Sequence, residues 1–152
     1  MRILVLGSTG MLGSAVGRAC LRTSHDTYLT YRPESEKVYQ RAFGGTSAKP
    51  LPITSLLGEG LVKTLQESRP DAVVNCMGSV PQNNPSVETY LRVNSLFPLG
   101  LAQLCTAQGI QCLHVTTDCV FSGKRGGYTE DDQHDAVDAY GRTKSLGESP
   151  DA

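Results

Sequence analysis

Short apolar runs alternate along this chain with stretches of helical periodicity. Residues 3–6, Ile-Leu-Val-Leu, read as a strand buried on both faces. Met11, Leu12, Ala15, Val16, Ala19 and Cys20 then mark one helical stripe. A second strand over 28–31 ends at Arg32-Pro33, because proline has no ladder donor and restrains the residue before it. Residues 34–49 are polar, carry Gly44-Gly45, and read as a loop with a poorly defined helical turn. A short strand over 50–53 follows, then a helical face of Leu56, Leu57, Leu61, Val62 and Leu65 that stops before Pro70. The pattern next predicts a buried strand over 71–75, a turn-rich loop over 78–85 and a long helix over 86–108 stopped by Gly109. A strand over 110–116, a glycine-containing loop over 118–135 and a last helix from about Ala136 complete the chain, with Tyr140 and Lys144 on that helix. There is no internal repeat.

Strands alternating with helices of this length predict the α/β class: a doubly wound parallel sheet of the Rossmann type, with right-handed crossovers and strand order 3-2-1-4-5. Ligands of such sheets bind at the carboxyl ends of the strands, so the loops after strands should carry function. With 152 residues the chain is near the size of one domain, and one core is expected. Lys plus Arg number 14 and Asp plus Glu 15, a net charge of −1 that argues against nucleic-acid or anionic-membrane partners. No apolar run approaches the roughly 20 residues of a membrane span, and the N-terminus enters a strand directly, so a soluble cytoplasmic protein is expected. The five cysteines contain no C-x-x-C pair and read as reduced, mostly buried thiols. His25, His114 and His134 have no ligand spacing, and no metal site is expected; His114 reads as a satisfied core residue.

The segment Gly7-Ser8-Thr9-Gly10-Met11-Leu12-Gly13 lies between the first strand and the first helix. Glycines there permit a tight turn, bring backbone N–H groups against a pyrophosphate at a helix N-terminus and allow close helix-to-strand packing. No Gly-Lys-Ser/Thr follows, which argues against an NTPase phosphate loop. Tyr140 and Lys144 stand four apart on one helix face, where an ammonium can acidify a phenol. Thr116 and Thr117 end a strand, where a hydroxyl can meet a substrate carbonyl or satisfy local backbone groups instead. Pro98 follows Asn94 by four residues and cannot bond its carbonyl. The freed oxygen could bind a water beside a kink, or the kink could serve packing alone.

The G-x-x-G-x-x-G spacing with Tyr-x-x-x-Lys resembles the short-chain dehydrogenase/reductase superfamily, particularly its extended branch. The further string Val93-Asn94, 117–123, 128–132 and 140–148 looks like the dTDP-4-dehydrorhamnose reductase family and its nucleotide-sugar reductase relatives. Cys119 departs from it, standing where many members have an aromatic. The resemblance implies a cofactor site of Gly7, Ser8, Thr9, Gly10, Met11, Leu12, Gly13, Arg32, Cys76, Met77 and Gly78, with Tyr140 and Lys144. It implies that Tyr140 is the proton donor, that Lys144 tunes the phenol and orients the ribose, and that Thr117, better spaced than Thr116, holds the oxyanion. Asn94 would hold a water in a relay from the lysine.

Arg32 follows the second strand where NAD enzymes usually have an acid, which favours NADPH and leaves NADH open; a solvated arginine there is the alternative. The implied substrate is a 4-keto-6-deoxy nucleotide sugar. The family continues past the Tyr-x-x-x-Lys helix into a substrate domain, so residues 1–152 are expected to be an incomplete dinucleotide-binding domain, with the strand near 111–116 left as an open edge or covered by a second copy or a missing half. A resemblance to the regulatory subunit of methionine adenosyltransferase, which shares fold and motifs, implies the alternative of an NADP(H)-binding regulatory subunit without reductase activity.

Overall fold

The computed structural model describes residues 1–55 and 57–148. Leu56, part of the expected third helical face, and the final four residues lie outside them. The chain is organised as two compact units, Met1–Met77 with Leu101–Val115, and Gly78–Gly100 with the segment from Thr116 onward.

The first unit holds a five-stranded parallel sheet: β1 (Arg2–Leu6), β2 (Asp26–Tyr31), β3 (Lys49–Pro52), β4 (Ala72–Asn75) and β5 (Gln111–His114), in the order β3-β2-β1-β4-β5. The register pairs Leu4 with both Tyr28 and Val73, so β1 is central. Leu4, Val5 and Leu6 are accordingly inaccessible, the continuous apolar run that a strand covered on both faces requires. The doubly wound order expected from the sequence is the order found.

The helices are α1 (Met11–Cys20), α2 (Glu36–Phe43), α3 (Glu59–Ser68), α4 (Val87–Tyr90), α5 (Phe97–Gln108) and α6 (Ala139–Leu146). Two expectations fail here. Residues 34–49 are not a loop: α2 occupies their centre and places Tyr39 and Phe43, one turn apart, in a cluster with Val5, Leu29 and Tyr31. Tyr39 stacks on Tyr31 with ring centroids 4.5 Å apart. Two aromatic residues thus supply most of the burial that holds a helix whose other positions, Val38 and Ala42 apart, are polar. The stripe expected on α1 is also displaced, for Met11 and Leu12 are exposed and the buried positions are Gly13 and Gly17. At Gly17 an added Cβ would stand 3.1 Å from Leu29 and Phe43, so the helix approaches the sheet through its smallest residues.

β3 carries prolines at 50 and 52, paired with Leu29 and Tyr31 of β2. Ile53 N–H donates to the Tyr31 carbonyl at 2.9 Å, so residues of the other parity, the two prolines, face the open side of this edge strand. At the opposite edge β5 pairs with β4, and Leu113 is 57% exposed. The expected long helix over 86–108 is present but interrupted: Ser86 caps α4 by accepting the Thr89 N–H, and a π-helical turn, Leu91–Leu96, separates α4 from α5. The last helix begins at Ala139, capped by Asp138, three residues beyond the expected start. Among the described residues no helix is long and apolar enough to cross a membrane.

Candidate functional site

In the first unit, the chain leaves β1 through Gly7 at φ +82°, a conformation that disfavours a side chain. Gly7 N–H donates to Thr30 Oγ1 at 3.0 Å, and Ser8 donates through both its N–H and its Oγ to the Thr30 carbonyl. Ser8 and Thr30 are fully buried, so the bend hangs from β2 by three bonds. Gly10 is the N-cap of α1 and supplies no side-chain cap. The opening N–H groups of this helix therefore have no side-chain acceptor, and the dipole favours an anion there. A methyl at Gly13 would overlap the Gly7 carbonyl oxygen. The bend thus requires glycine at 7 and 13, and its uncapped N–H groups suit an anion such as a diphosphate.

Met77 closes the far side of this bend, with its Cγ 2.9 Å from where a Cβ on Gly7 would sit. Its N–H donates to Asn75 Oδ1 at 3.0 Å, while Asn75 Nδ2 meets His114 Nδ1 at 2.9 Å. Cys76 bonds the Leu6 carbonyl, and burial pushes its thiol up to about 11, so it is an inert wall residue. Arg32 is exposed at the end of β2 and ion-paired with Glu34 at 3.4 Å.

In the second unit, Asn94 sits fully buried in the π turn. Its Oδ1 accepts the Ser79 N–H at 2.8 Å and its Nδ2 donates to the Ser79 carbonyl at 2.9 Å. The π turn absorbs the missing Pro98 donor by shifting the register: Phe97 N–H bonds the Arg92 carbonyl, five residues back. The Asn94 carbonyl is approached by the backbone of Gly147, where a methyl would overlap it. Gly78 lies beside the Asn94 amide, with 3.8 Å from Oδ1 to a Cβ built there.

Tyr140 and Lys144 stand one turn apart on α6. The Tyr140 ring is 6.2 Å from the Tyr90 ring, and Lys144 is 4% exposed. Burial holds the Lys144 ammonium below the ordinary lysine pKa, and the negative charge of Glu148 opposes that shift. Thr117 is engaged locally: its Oγ1 accepts the Cys119 N–H at 3.2 Å and points at Asp118 Oδ1 at 3.4 Å. The hydroxyl of Thr116 donates to Glu148 Oε1.

Over residues 1–150 the sequence matches the family described as RmlD substrate binding domain. The chain belongs to this family. It is 32% identical, over 97% of its length and 48% of the relative's, to the probable low-salt glycan biosynthesis reductase Agl14 of Haloferax volcanii. To methionine adenosyltransferase 2 subunit beta of Xenopus laevis it is 29% identical, over 97% of this chain and 41% of that one. It is 36% identical to dTDP-4-dehydrorhamnose reductase of Streptomyces griseus, over 60% of this chain and 31% of that one. In fold it resembles the UDP-glucuronic acid 4-epimerase of Bacillus cereus solved with NAD, with a TM-score of 0.77, 22% identity and coverage of 97% and 50%. The chain spans about half the length of the curated relatives it matches first.

For this RmlD-family chain, several residues escape a reading by motif. Thr30 suspends the glycine bend, Ser79 receives the Asn94 amide, and Gly141 and Gly147 allow backbone contact at Cys119 and Asn94. A polar or small residue at one sequence position carries no signal of the backbone it meets elsewhere. Glu148, His134 and Ser145 form a further polar group around the end of α6.

Proposed function

We propose that this chain is the dinucleotide-binding part of an NADPH-dependent reductase of the short-chain dehydrogenase type, acting on the keto group of a 4-keto-6-deoxy nucleotide sugar in the cytoplasm. The observation that carries the reading is the pairing on α6 of Tyr140 with a lysine 4% exposed. Burying an ammonium costs several kcal/mol, an expense that a solvated helix face would not need. The uncapped glycine bend of the first unit would hold the diphosphate, and exposed Arg32 would meet a 2′-phosphate in place of Glu34. The dinucleotide, when bound, supplies the reducing equivalent. Tyr140 gives its phenolic proton to the oxygen of the reduced carbon, and Lys144 makes that proton easier to lose while bonding the ribose hydroxyls. Thr117 would hold the carbonyl oxygen by turning its hydroxyl from Asp118, and Asn94 would bear on the proton path through the main chain beside Gly147.

Relatives named as reductases support this reading. The test is NADPH consumption with dTDP- and UDP-linked 4-keto-6-deoxy sugars, together with calorimetry of NADPH against NADH. Loss of turnover in Tyr140→Phe with NADPH binding retained is expected; an unchanged rate overturns the mechanism. The match to methionine adenosyltransferase 2 subunit beta favours a second reading, a regulatory subunit that binds NADP(H). Dinucleotide binding without turnover of any keto sugar, with altered kinetics of a co-purifying enzyme, would decide for it.

A further inference from the structure

Odd-numbered residues of β1 turn their main-chain polar groups toward β2 and even-numbered ones toward β4. The Asp26 N–H donates to the Met1 carbonyl at 3.0 Å, and the Asp71 N–H to the Arg2 carbonyl at 2.8 Å. With Val5 in register with Leu29, the next rung toward β2 would run from the Gly7 N–H to the Thr30 carbonyl. That carbonyl is instead taken by Ser8, through its N–H at 3.0 Å and its Oγ at 2.8 Å, and the Gly7 N–H turns to Thr30 Oγ1 at 3.0 Å. Thr30 Oγ1 in turn donates to the Val5 carbonyl at 3.3 Å. The chain thus slips by one residue as it leaves the sheet, and a single hydroxyl, accepting from one residue and donating to another, absorbs the slip. Thr30 and Ser8 are fully buried, so losing that hydroxyl would leave a main-chain donor unpaired away from water.

The same strand end carries Arg32. Tyr31, between the two, stacks on Tyr39 with ring centroids 4.5 Å apart, and its carbonyl accepts the Ile53 N–H at 2.9 Å. Arg32 continues extended, at φ −79° and ψ 142°, and its carbonyl accepts the Ser35 N–H at 2.7 Å across the turn that opens with Pro33. The backbone from Thr30 to Arg32 is therefore held at every residue. It spans roughly 7 Å, and strand alternation starts both side chains on one side of it. The Arg32 side chain beyond that point is largely exposed, so its origin relative to the glycine bend is fixed through the backbone.

We propose that Thr30 is a positioning residue for cofactor selection: it sets the glycine bend in register with Arg32, so that a dinucleotide seated by its diphosphate presents its 2′-phosphate to the guanidinium. This rests on the reading of the bend as a diphosphate cradle and of Arg32 as the partner of that phosphate. A dinucleotide without the 2′-phosphate uses the bend alone and is less sensitive to the register.

The test is calorimetry of the whole chain with NADPH and with NADH, for the parent, Thr30→Val, Thr30→Ser and Arg32→Gln. Thr30→Val nearly keeps the shape of the side chain and leaves the Gly7 N–H without its acceptor. It should weaken NADPH about tenfold more than NADH, and Thr30→Ser, which keeps the hydroxyl, should restore the ratio. In the Arg32→Gln background the same valine should cost NADPH no more than NADH, a coupling that general loosening of the fold would not produce. Equal losses for the two dinucleotides in Thr30→Val, or additive losses in the double variant, overturn the proposal. If Thr30→Val fails to fold, Ser8→Ala decides, since it removes the 2.8 Å bond to the Thr30 carbonyl and leaves Thr30 in place. A fall in NADPH preference there supports the register, and an unchanged preference overturns it. A parent chain that binds neither dinucleotide overturns the cofactor reading itself, a result distinct from bound dinucleotides whose ratio Thr30 does not move.

Discussion

The side-chain amide of Asn94 pairs with both main-chain polar groups of Ser79, accepting its N–H at 2.8 Å and donating to its carbonyl at 2.9 Å. Both residues are buried, so the amide acts as a strand-like partner for one residue of loop. Asn94→Ala should cost about 2–4 kcal/mol, because two main-chain groups are left unpaired away from water. Asn94→Asp keeps the acceptor and loses the donor, turning a carboxylate oxygen toward the Ser79 carbonyl. That variant should be unstable at neutral pH and recover as acid protonates the new side chain, which then donates again. Urea midpoints of the two variants across pH separate this from a simple cavity, for which the two would respond to pH alike.

The contact of Gly13 with the Gly7 carbonyl gives a second expectation. That carbonyl belongs to a bend fixed by Thr30 and cannot retreat without breaking buried hydrogen bonds. Gly13→Ala should therefore lose about 1–3 kcal/mol, the cost of overpacking, and lose dinucleotide binding as the bend distorts. The measurement is a shift of the urea midpoint with an unchanged slope, alongside calorimetry with NADPH. An alanine variant of wild-type stability would mean that α1 can slide away from the bend.

These two positions differ in how far the sequence announces them. Gly13 is legible because a glycine between a strand and a helix at fixed spacing has one economical explanation. The central strands are legible for the same kind of reason, since Leu4, Val5 and Leu6 can be satisfied only by cover on both faces. The helix α2 is not, because its two buried rings at 39 and 43 stand among charges, and their value depends on Tyr31 and Leu29 in another strand. Asn94 is half legible. Its relation to Pro98 shows that the helix must depart from regularity, yet the spacing alone does not distinguish a kink from the π turn that forms. The exposed Met11 and Leu12 mislead for a related reason, as apolar residues at helical spacing need not face the sheet when glycines do.

Tyr39 supports a third expectation. Its ring is stacked in the core at 2% exposure, while its hydroxyl has no protein partner among the described residues. Burial accordingly pushes its phenol above the ordinary tyrosine pKa. Tyr39→Phe keeps the ring contacts with Tyr31 and Phe43 and removes the unpaired group, so it should be neutral or stabilising by up to about 1 kcal/mol. Thermal unfolding compares the two proteins directly. A loss of more than about 1 kcal/mol would mean that the hydroxyl is satisfied in solution by ordered water.

The buried lysine makes stability depend on pH in a direction opposite to that of a lysine whose pKa an ion pair raises. Lys144 has its folded pKa below the unfolded value because burial disfavours the charge more than Glu148 restores it. Between the two values the unfolded chain binds more protons than the folded one, so stability rises with pH there. Below the folded value the cost of burying the ammonium is present in full; above the unfolded value it is gone. Each unit of depression corresponds to about 1.4 kcal/mol. Lys144→Met, similar in length and without charge, should therefore be more stable than the parent chain at neutral pH, with the difference shrinking as pH climbs toward the ordinary lysine value. Urea midpoints of both proteins through the alkaline range measure that difference. Parallel curves would mean that the ammonium is hydrated in the folded state, and the case for Lys144 as a charge held ready beside Tyr140 would lose its physical basis.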